Sequence, residues 1–320
     1  MTDGISGPLR VVILDDYQRV AALSADWGRL GRELELTVVA RHIEDEEDLL
    51  KVLSRAEVLV VMRERTPLRR ELFDRLPELR LVVTTGLRNA SIDPPPNILL
   101  CGTRALVSPT VELTWALIHA SRRNLEVELQ ALRAGSWQST VGESLEGATL
   151  GIIGLGNIGT RVAAVANAFG MRVLAWSSNL SGHEAIERGA RCVDLDALLF
   201  SSDIVSVHTR LSERTLGLIG ARELAILGGD SLLVNTSRAE IVDQAAMIAA
   251  LQDGTLGGAA LDVYEQEPLP EEHPLRQAPR TLLTPHLGYV TRQNYGLFYG
   301  DALDDIIAYR AGSPLRVLAP

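Results

Sequence analysis

At 320 residues the chain has room for two domains of ordinary size, each with its own core. Apolar residues make up 46%, which excludes a disordered chain, and 31 basic against 41 acidic residues give a net charge of −10. That sign argues against nucleic acid or an anionic membrane surface as a partner.

The opening Met1-Thr-Asp-Gly4 has no basic segment leading into an apolar one, so no signal peptide is expected. No run approaches the ~18 apolar residues of a membrane span, and a cytoplasmic location follows as the expectation. In residues 1–101 short apolar runs alternate with helical patterns. Residues 10–14, 36–40, 57–62, 81–84 and 98–101 read as strands. Residues 44–53 suit a helix with acids in its first turn, and 67–76 a helix with Pro67 in its first turn. The acidic cluster 44–48 reads as a solvated helix start. Cys101 and Cys192 are too few for a disulfide framework and stand in no metal-ligand spacing, so no metal is expected.

One helix is expected over 111–132, ended by Gly135 and carrying Trp115 and His119; His119 reads as a packed or surface residue. Next comes Thr149-Leu-Gly-Ile-Ile-Gly-Leu-Gly-Asn-Ile-Gly159, a buried-strand pattern, three glycines spaced G-x-G-x-x-G, and a helical pattern. In a dinucleotide site Gly154 permits the tight turn, Gly156 lets a pyrophosphate approach, and Gly159 lets helix and strand pack closely. The helix start offers free N–H groups and a positive dipole end to the phosphates. Further strands are expected at 172–176, 204–207, 231–234, 258–261 and 281–284, with helices at 195–200 and 245–251, the latter capped by Asp243. The alternation predicts an α/β fold built on parallel sheets. In such sheets ligands bind at the carboxyl ends of the strands, where Gly154, Ser177, His208, Asn235 to Arg238, Asp262 and His286 would lie.

Several separated motifs resemble the D-2-hydroxyacid dehydrogenase family. They are the glycine turn, Ser202-Asp-Ile-Val-Ser-Val-His208, Asn235-Thr-Ser-Arg-Ala-Glu-Ile-Val-Asp243, Ala260-Leu-Asp-Val-Tyr-Glu-Gln-Glu-Pro268 and Thr284-Pro-His-Leu-Gly288. The resemblance is dense from about residue 100 to 290. It implies a doubly wound Rossmann domain, residues 102–286, inserted into a flavodoxin-like substrate domain, residues 1–101 plus 287–320, with the active site in the cleft between them. Regulatory segments appended in some phosphoglycerate dehydrogenases have no counterpart up to Pro320.

By that resemblance Arg238, Glu267 and His286 are the catalytic set. His286 would take the C2 hydroxyl proton and return it in the reverse direction, histidine being the side chain suited to proton exchange near neutrality. Glu267 would hold the imidazole and favour its charged form. Arg238 would offer a fixed fork to the substrate carboxylate and C2 oxygen. Glu265 stands two residues earlier, but the family position is the glutamate directly before proline, where the related formate dehydrogenases carry glutamine.

Cofactor contacts implied are Gly154, Gly156, Asn157, Ile158, Gly159, Ser177, Asn179, His208, Thr209, Leu211, Thr215, Thr236, Asp262, His286 and Gly288. Asp262 would face the nicotinamide carboxamide and Arg161 the pyrophosphate, and His208 could instead be a buried residue bonded to backbone. Substrate contacts implied are Arg63, Thr85, Gly86 and Leu87, with Arg238 and His286. Arg88 and Ala90 stand where the family usually has glycine and aspartate, so the carboxylate loop has an altered shape. After the second strand the family places an acid for NAD, and an arginine nearby suits NADP. Trp176-Ser-Ser-Asn179 has neither. Hydroxyls alone balance a phosphate dianion poorly, so the expectation falls on NAD. A small 2-oxo or 2-hydroxy acid is the implied partner, together with a second copy of the chain, paired through the helix from Val111 onward and Ser136-Trp137. A dinucleotide-sensing, co-repressor-like protein on the same fold is the alternative.

Overall fold

Apolar runs of four or five residues, too short for buried helices, become parallel strands. The structure, a computed structural model, describes residues 8–31 and 33–318. Met1-Thr-Asp-Gly4 and Pro320 therefore lie outside the described residues.

In chain order the elements are β1 (Leu9–Ile13), α1 (Ala21–Ser24), a 3-10 turn (Trp27–Leu30), β2 (Leu34–Val38), α2 (Glu46–Leu53), β3 (Val58–Val61), α3 (Arg70–Asp74), β4 (Leu81–Thr84), β5 (Leu99–Gly102), α4 (Ser108–Arg122) and α5 (Leu125–Arg133). Then follow β6 (Thr149–Ile153), α6 (Asn157–Ala168), β7 (Arg172–Trp176), α7 (Gly182–Glu187), β8 (Arg191–Cys192), α8 (Leu195–Ser201), β9 (Ile204–Val207), α9 (Ala221–Leu227), β10 (Leu232–Asn235), α10 (Gln244–Asp253), β11 (Gly258–Leu261), β12 (Thr281–Leu283) and α11 (Arg292–Arg310).

The chain divides into two compact units: residues up to Leu106 together with those from Val290 onward, and Val107–Tyr289. The first unit holds a five-stranded sheet ordered β2-β1-β3-β4-β5, all parallel, the flavodoxin-like order. Alternation sends Val12, Leu59, Val61 and Val82 to one face, against Leu49, Leu50 and Leu53 of α2 and Leu72 and Phe73 of α3. α11 lies against β4, α1 and the 3-10 turn. It buries Tyr295, Phe298, Tyr299, Ala302, Leu303 and Ile306 together with the polar Asn294, Asp301 and Asp305. The last described residues return to β5: Gly102 N–H donates to Arg316 O and Leu318 N–H to Leu100 O.

The second unit holds a seven-stranded parallel sheet, ordered β12-β11-β10-β9-β6-β7-β8. One face packs under α4 and α6 through Ile118, Leu150, Ile152, Val162 and Ala166. The other packs under α8, α9 and α10 through Leu198, Val205, Leu224, Leu233 and Leu251. Strand order reverses between β6 and β9, which places the glycine turn after β6 at the switch.

The division falls at 106/107 and 289/290, where the sequence reading expected 101/102 and 286/287. Hydrogen bonds account for both offsets. Arg104 N–H and guanidinium donate to Asp301, and Leu106 N–H to Asn294 Oδ1, tying 103–106 to α11. Leu287 and Gly288 N–H both donate to Asp262, which keeps them with the second unit. The single helix expected over 111–132 is two, broken at Asn124, whose φ of +49° is the left-handed conformation that asparagine tolerates. The helix expected from Pro67 begins only at Arg70. Leu68 N–H is drawn instead to Ser91 O in a parallel bridge with Ile92.

Candidate functional site

The glycine turn is the first part of the site, and each glycine answers a different demand. Gly154 has φ +100°, and a Cβ there would lie 2.5 Å from Thr209 N. A Cβ on Gly159 would collide with Gly154 O and press on Ile152. At Gly156 nothing lies within 4 Å of the missing Cβ. Gly156 is also the N-cap of α6 and gives it no side-chain cap, so the first-turn N–H groups, those of Asn157 and Ile158 among them, receive no capping bond from it. An open, donor-rich helix start fits a diphosphate. Leu155, between the first two glycines, is held from both sides. Its N–H donates to Ser177 Oγ at 3.1 Å and its carbonyl accepts from Arg188 Nη1 at 2.8 Å. Asn179, two residues beyond Ser177, is exposed.

β9 delivers His208, whose Nε2 lies 2.8 Å from Ser206 Oγ rather than on backbone; burial pushes its pKa down to about 4, so the ring is neutral near pH 7. Thr209 O accepts from Ser237 Oγ. Leu211 is exposed. Thr215, expected to meet the cofactor, is buried, and its hydroxyl donates to Arg210 O at 2.6 Å and accepts from Ser212 N–H at 2.8 Å. It is a staple of that turn. Thr236 is likewise buried, with its hydroxyl 3.0 Å from that of Thr114.

β10, β11 and β12 are neighbours, and the chain leaving each carries one of the polar groups. After β10, Asn235 Nδ2 donates to Arg238 O, and Arg238, half-buried, donates from Nη1 to Ser237 O at 2.8 Å. After β11, the buried Asp262 accepts from Thr284 Oγ1 at 2.7 Å, Leu287 N–H at 2.6 Å and Gly288 N–H at 2.8 Å. Burial raises its pKa against the pull of those three donors and of His286. Asp262 therefore shapes the loop that carries His286, a task the sequence reading did not assign to it. After β12, His286 adopts φ +54°, and its ring sits edge-on to Tyr289 at 5.5 Å.

His286 Nδ1 lies 2.6 Å from Glu267 Oε2, with both side chains about four-fifths buried, at 18% and 23% exposed. Glu267 Oε1 accepts from Tyr264 N–H at 3.0 Å, and Tyr264 OH donates to Thr284 O at 2.9 Å. Tyr264 thus braces both members of the pair, a role that no spacing announced. Glu265 is exposed and pairs with Gln244 instead.

In the first unit Arg63 leaves β3 at φ +52°, with its N–H on Thr85 Oγ1 at 3.0 Å and its guanidinium over Gly86. Thr85 was expected to touch substrate. It is wholly buried, with its N–H on Val61 O, so it is a brace for Arg63. Gly86, at φ +100°, gives its N–H to Thr103 Oγ1. The outward-facing part of this loop begins at Leu87, which is exposed.

A seven-stranded parallel sheet with such a turn at its switch defines an α/β protein of the dinucleotide-binding Rossmann class. Comparison with known proteins narrows the class. Residues 115–288 match the family model described as D-isomer specific 2-hydroxyacid dehydrogenase, NAD binding domain. The chain is 36% identical over 261 residues to a glyoxylate reductase of Aeropyrum pernix, covering 76% of each. It is 35% identical to an (S)-sulfolactate dehydrogenase of Chromohalobacter salexigens over 88% of this chain and 93% of that one. Among solved structures, a phosphoglycerate oxidoreductase of Vibrio cholerae superposes with a TM-score of 0.90 at 36% identity, covering 95% of this chain and 99% of the other. The chain belongs to the D-isomer specific 2-hydroxyacid dehydrogenases.

Proposed function

We propose that this protein interconverts a D-2-hydroxy acid and its 2-oxo acid, working mainly as a 2-oxo acid reductase, with His286 as acid and base. The observation that carries the reading is the 2.6 Å contact between His286 Nδ1 and Glu267 Oε2. With Nδ1–H committed to a carboxylate, Nε2 is the nitrogen that exchanges a proton with substrate. Arg238 offers parallel donors to the substrate carboxylate and polarises the C2 carbonyl. The nicotinamide dinucleotide, when bound in reduced form, supplies the hydride that reaches C2. His286 in its charged form, the imidazolium steadied by Glu267, gives its Nε2 proton to the C2 oxygen and, left neutral, regains one from solvent. In oxidation His286 takes the hydroxyl proton.

Gly154, Gly156, Asn157, Ile158 and Gly159 form the diphosphate cradle in this reading, and Asp262 sets the His286–Gly288 loop beside the ring. The chain pairs with a second copy through α4, α5 and Ser136-Trp137. In support, α5 buries none of its nine residues and leaves Leu125, Val127, Leu129 and Leu132 exposed, with Trp137 78% exposed beyond it. The relatives carry enzyme names, which lends nothing to the dinucleotide-sensing alternative.

The test is a panel of 2-oxo acids with NADH and NADPH, followed at the reduced-nicotinamide absorbance near ~340 nm. Turnover of at least one acid, lost in His286→Ala, is the expected result. Tight dinucleotide binding with no turnover of any acid would overturn the enzymatic reading.

A further inference from the structure

We infer that Arg188 selects the 2′-phosphorylated dinucleotide, NADP(H), over NAD(H). This rests on the reading that the glycine turn binds a nicotinamide dinucleotide. Residues 177–179 contain no arginine, and the fold brings one in from eleven residues beyond Ser177.

Leu155 is the common anchor. Its two amide edges are taken by Ser177 Oγ and by the Arg188 guanidinium, so a hydroxyl and a fixed positive charge flank one residue of the turn. Ser177 follows β7, the strand beside β6, and it is at the end of this second strand that the adenosine ribose hydroxyls are read. An acid there would repel a 2′-phosphate; the chain has Ser177-Ser-Asn179. Arg188 spends one N–H on Leu155 O, and a guanidinium carries five. Its nearest carboxylate oxygen, Glu184 Oε1, is at 3.7 Å. That carboxylate is an ion-pair partner of Arg188, but it is shared with its capping box, in which Oε2 accepts from the N–H and hydroxyl of Ser181. The Arg188 side chain is 41% exposed, so a phosphate can reach it from solvent. Ser177, Ser178 and Asn179 would supply further donors, making a charge-assisted site rather than one of hydroxyls alone.

The experiment is calorimetric titration of the full-length protein with 2′,5′-ADP and with 5′-AMP, fragments that differ in the 2′-phosphate and need no turnover. The wild type is expected to bind 2′,5′-ADP at least about tenfold more tightly, the size of one charge-assisted contact. Arg188→Gln is expected to lose that margin, with affinity for 5′-AMP held within about threefold. An equal fall for both ligands would mean that Arg188 only shapes the turn, and would overturn the inference. Ser177→Asp keeps an acceptor for Leu155 N–H and adds the missing repulsion, so it should invert the preference; an unchanged preference would count equally against us. If wild type binds both fragments alike, this inference fails and the dinucleotide site stands. Failure to bind either fragment removes the site and the inference together.

Discussion

His286 holds a left-handed backbone, φ +54°, which a residue with a β-carbon adopts only when its surroundings impose it. Here they do: Asp262 grips Leu287 and Gly288, and Tyr264 OH grips Thr284 O, on either side of the imidazole. Replacing His286 with Ala should lower turnover by about 10² to 10⁴, the worth of general acid–base catalysis, while dinucleotide titrations change little. Glu267→Gln keeps the shape but not the charge. Its turnover should fall between that of His286→Ala and wild type, with a shifted pH–rate profile. The glycines divide sharply. Gly154→Ala meets both a positive φ and Thr209 N at 2.5 Å, so its melting temperature should drop by several degrees, about 2 kcal/mol or more. Gly156→Ala enters open space and should melt within about 1 kcal/mol of wild type, yet bind dinucleotide poorly. Glu267 was legible in the sequence because it directly precedes Pro268. The internal bonds of the Thr85 and Thr215 hydroxyls could not be read, because a hydroxyl in a motif carries no mark of which way it points.

Strands were legible because buried parallel strands are nearly uniform in apolarity, as Val58–Val61 and Ile204–Val207 are. Helices were less so, and α11 escaped notice. Its buried face mixes Tyr295, Phe298, Ala302 and Ile306 with Asn294, Asp301 and Asp305, so no apolar period stands out. Asp301 accepts from Arg104, far away in sequence, whereas Asp305 has an ion pair with the nearer Arg316 at 3.0 Å. Burial opposes the charge on Asp301, yet Arg104 and Arg316 hold its pKa below the usual range. Asp301→Ala should cost about 1–3 kcal/mol in chemical denaturation through the loss of Arg104's contacts. Burial pushes Asp305 up to about 7, against the pull of Arg316. Folding therefore takes up a proton between the ordinary carboxylate range, about 4, and that value; the stabilisation is complete below about 4 and is lost as pH rises through 7. Melting Asp305→Asn beside wild type should show the variant gaining on wild type from pH 4.5 to 8. A constant gap would show that Asp305 does not titrate in that window.

At the scale of the molecule, both parallel sheets could be read from the β–α rhythm. The boundaries shifted by three to five residues because Arg104 and Leu106 are claimed by α11 and Leu287 and Gly288 by Asp262, long-range bonds that no local pattern encodes. Apolar side chains on α5 that no described residue covers predict that ultracentrifugation will give twice the mass of a single chain. Leu129→Glu combined with Trp137→Asp should halve it, and a wild-type monomer would remove the paired arrangement.

Because the first unit is completed by α11 and the segment after it, its five strands leave the ribosome long before the helix that packs on β4 and the residues that join β5. The inserted unit is translated in between and has all its strands in one continuous stretch. It can close while the amino-terminal strands are still waiting, so a chain ending near residue 290, once released from the ribosome, should already resist protease across 107–289 and be cut readily before it.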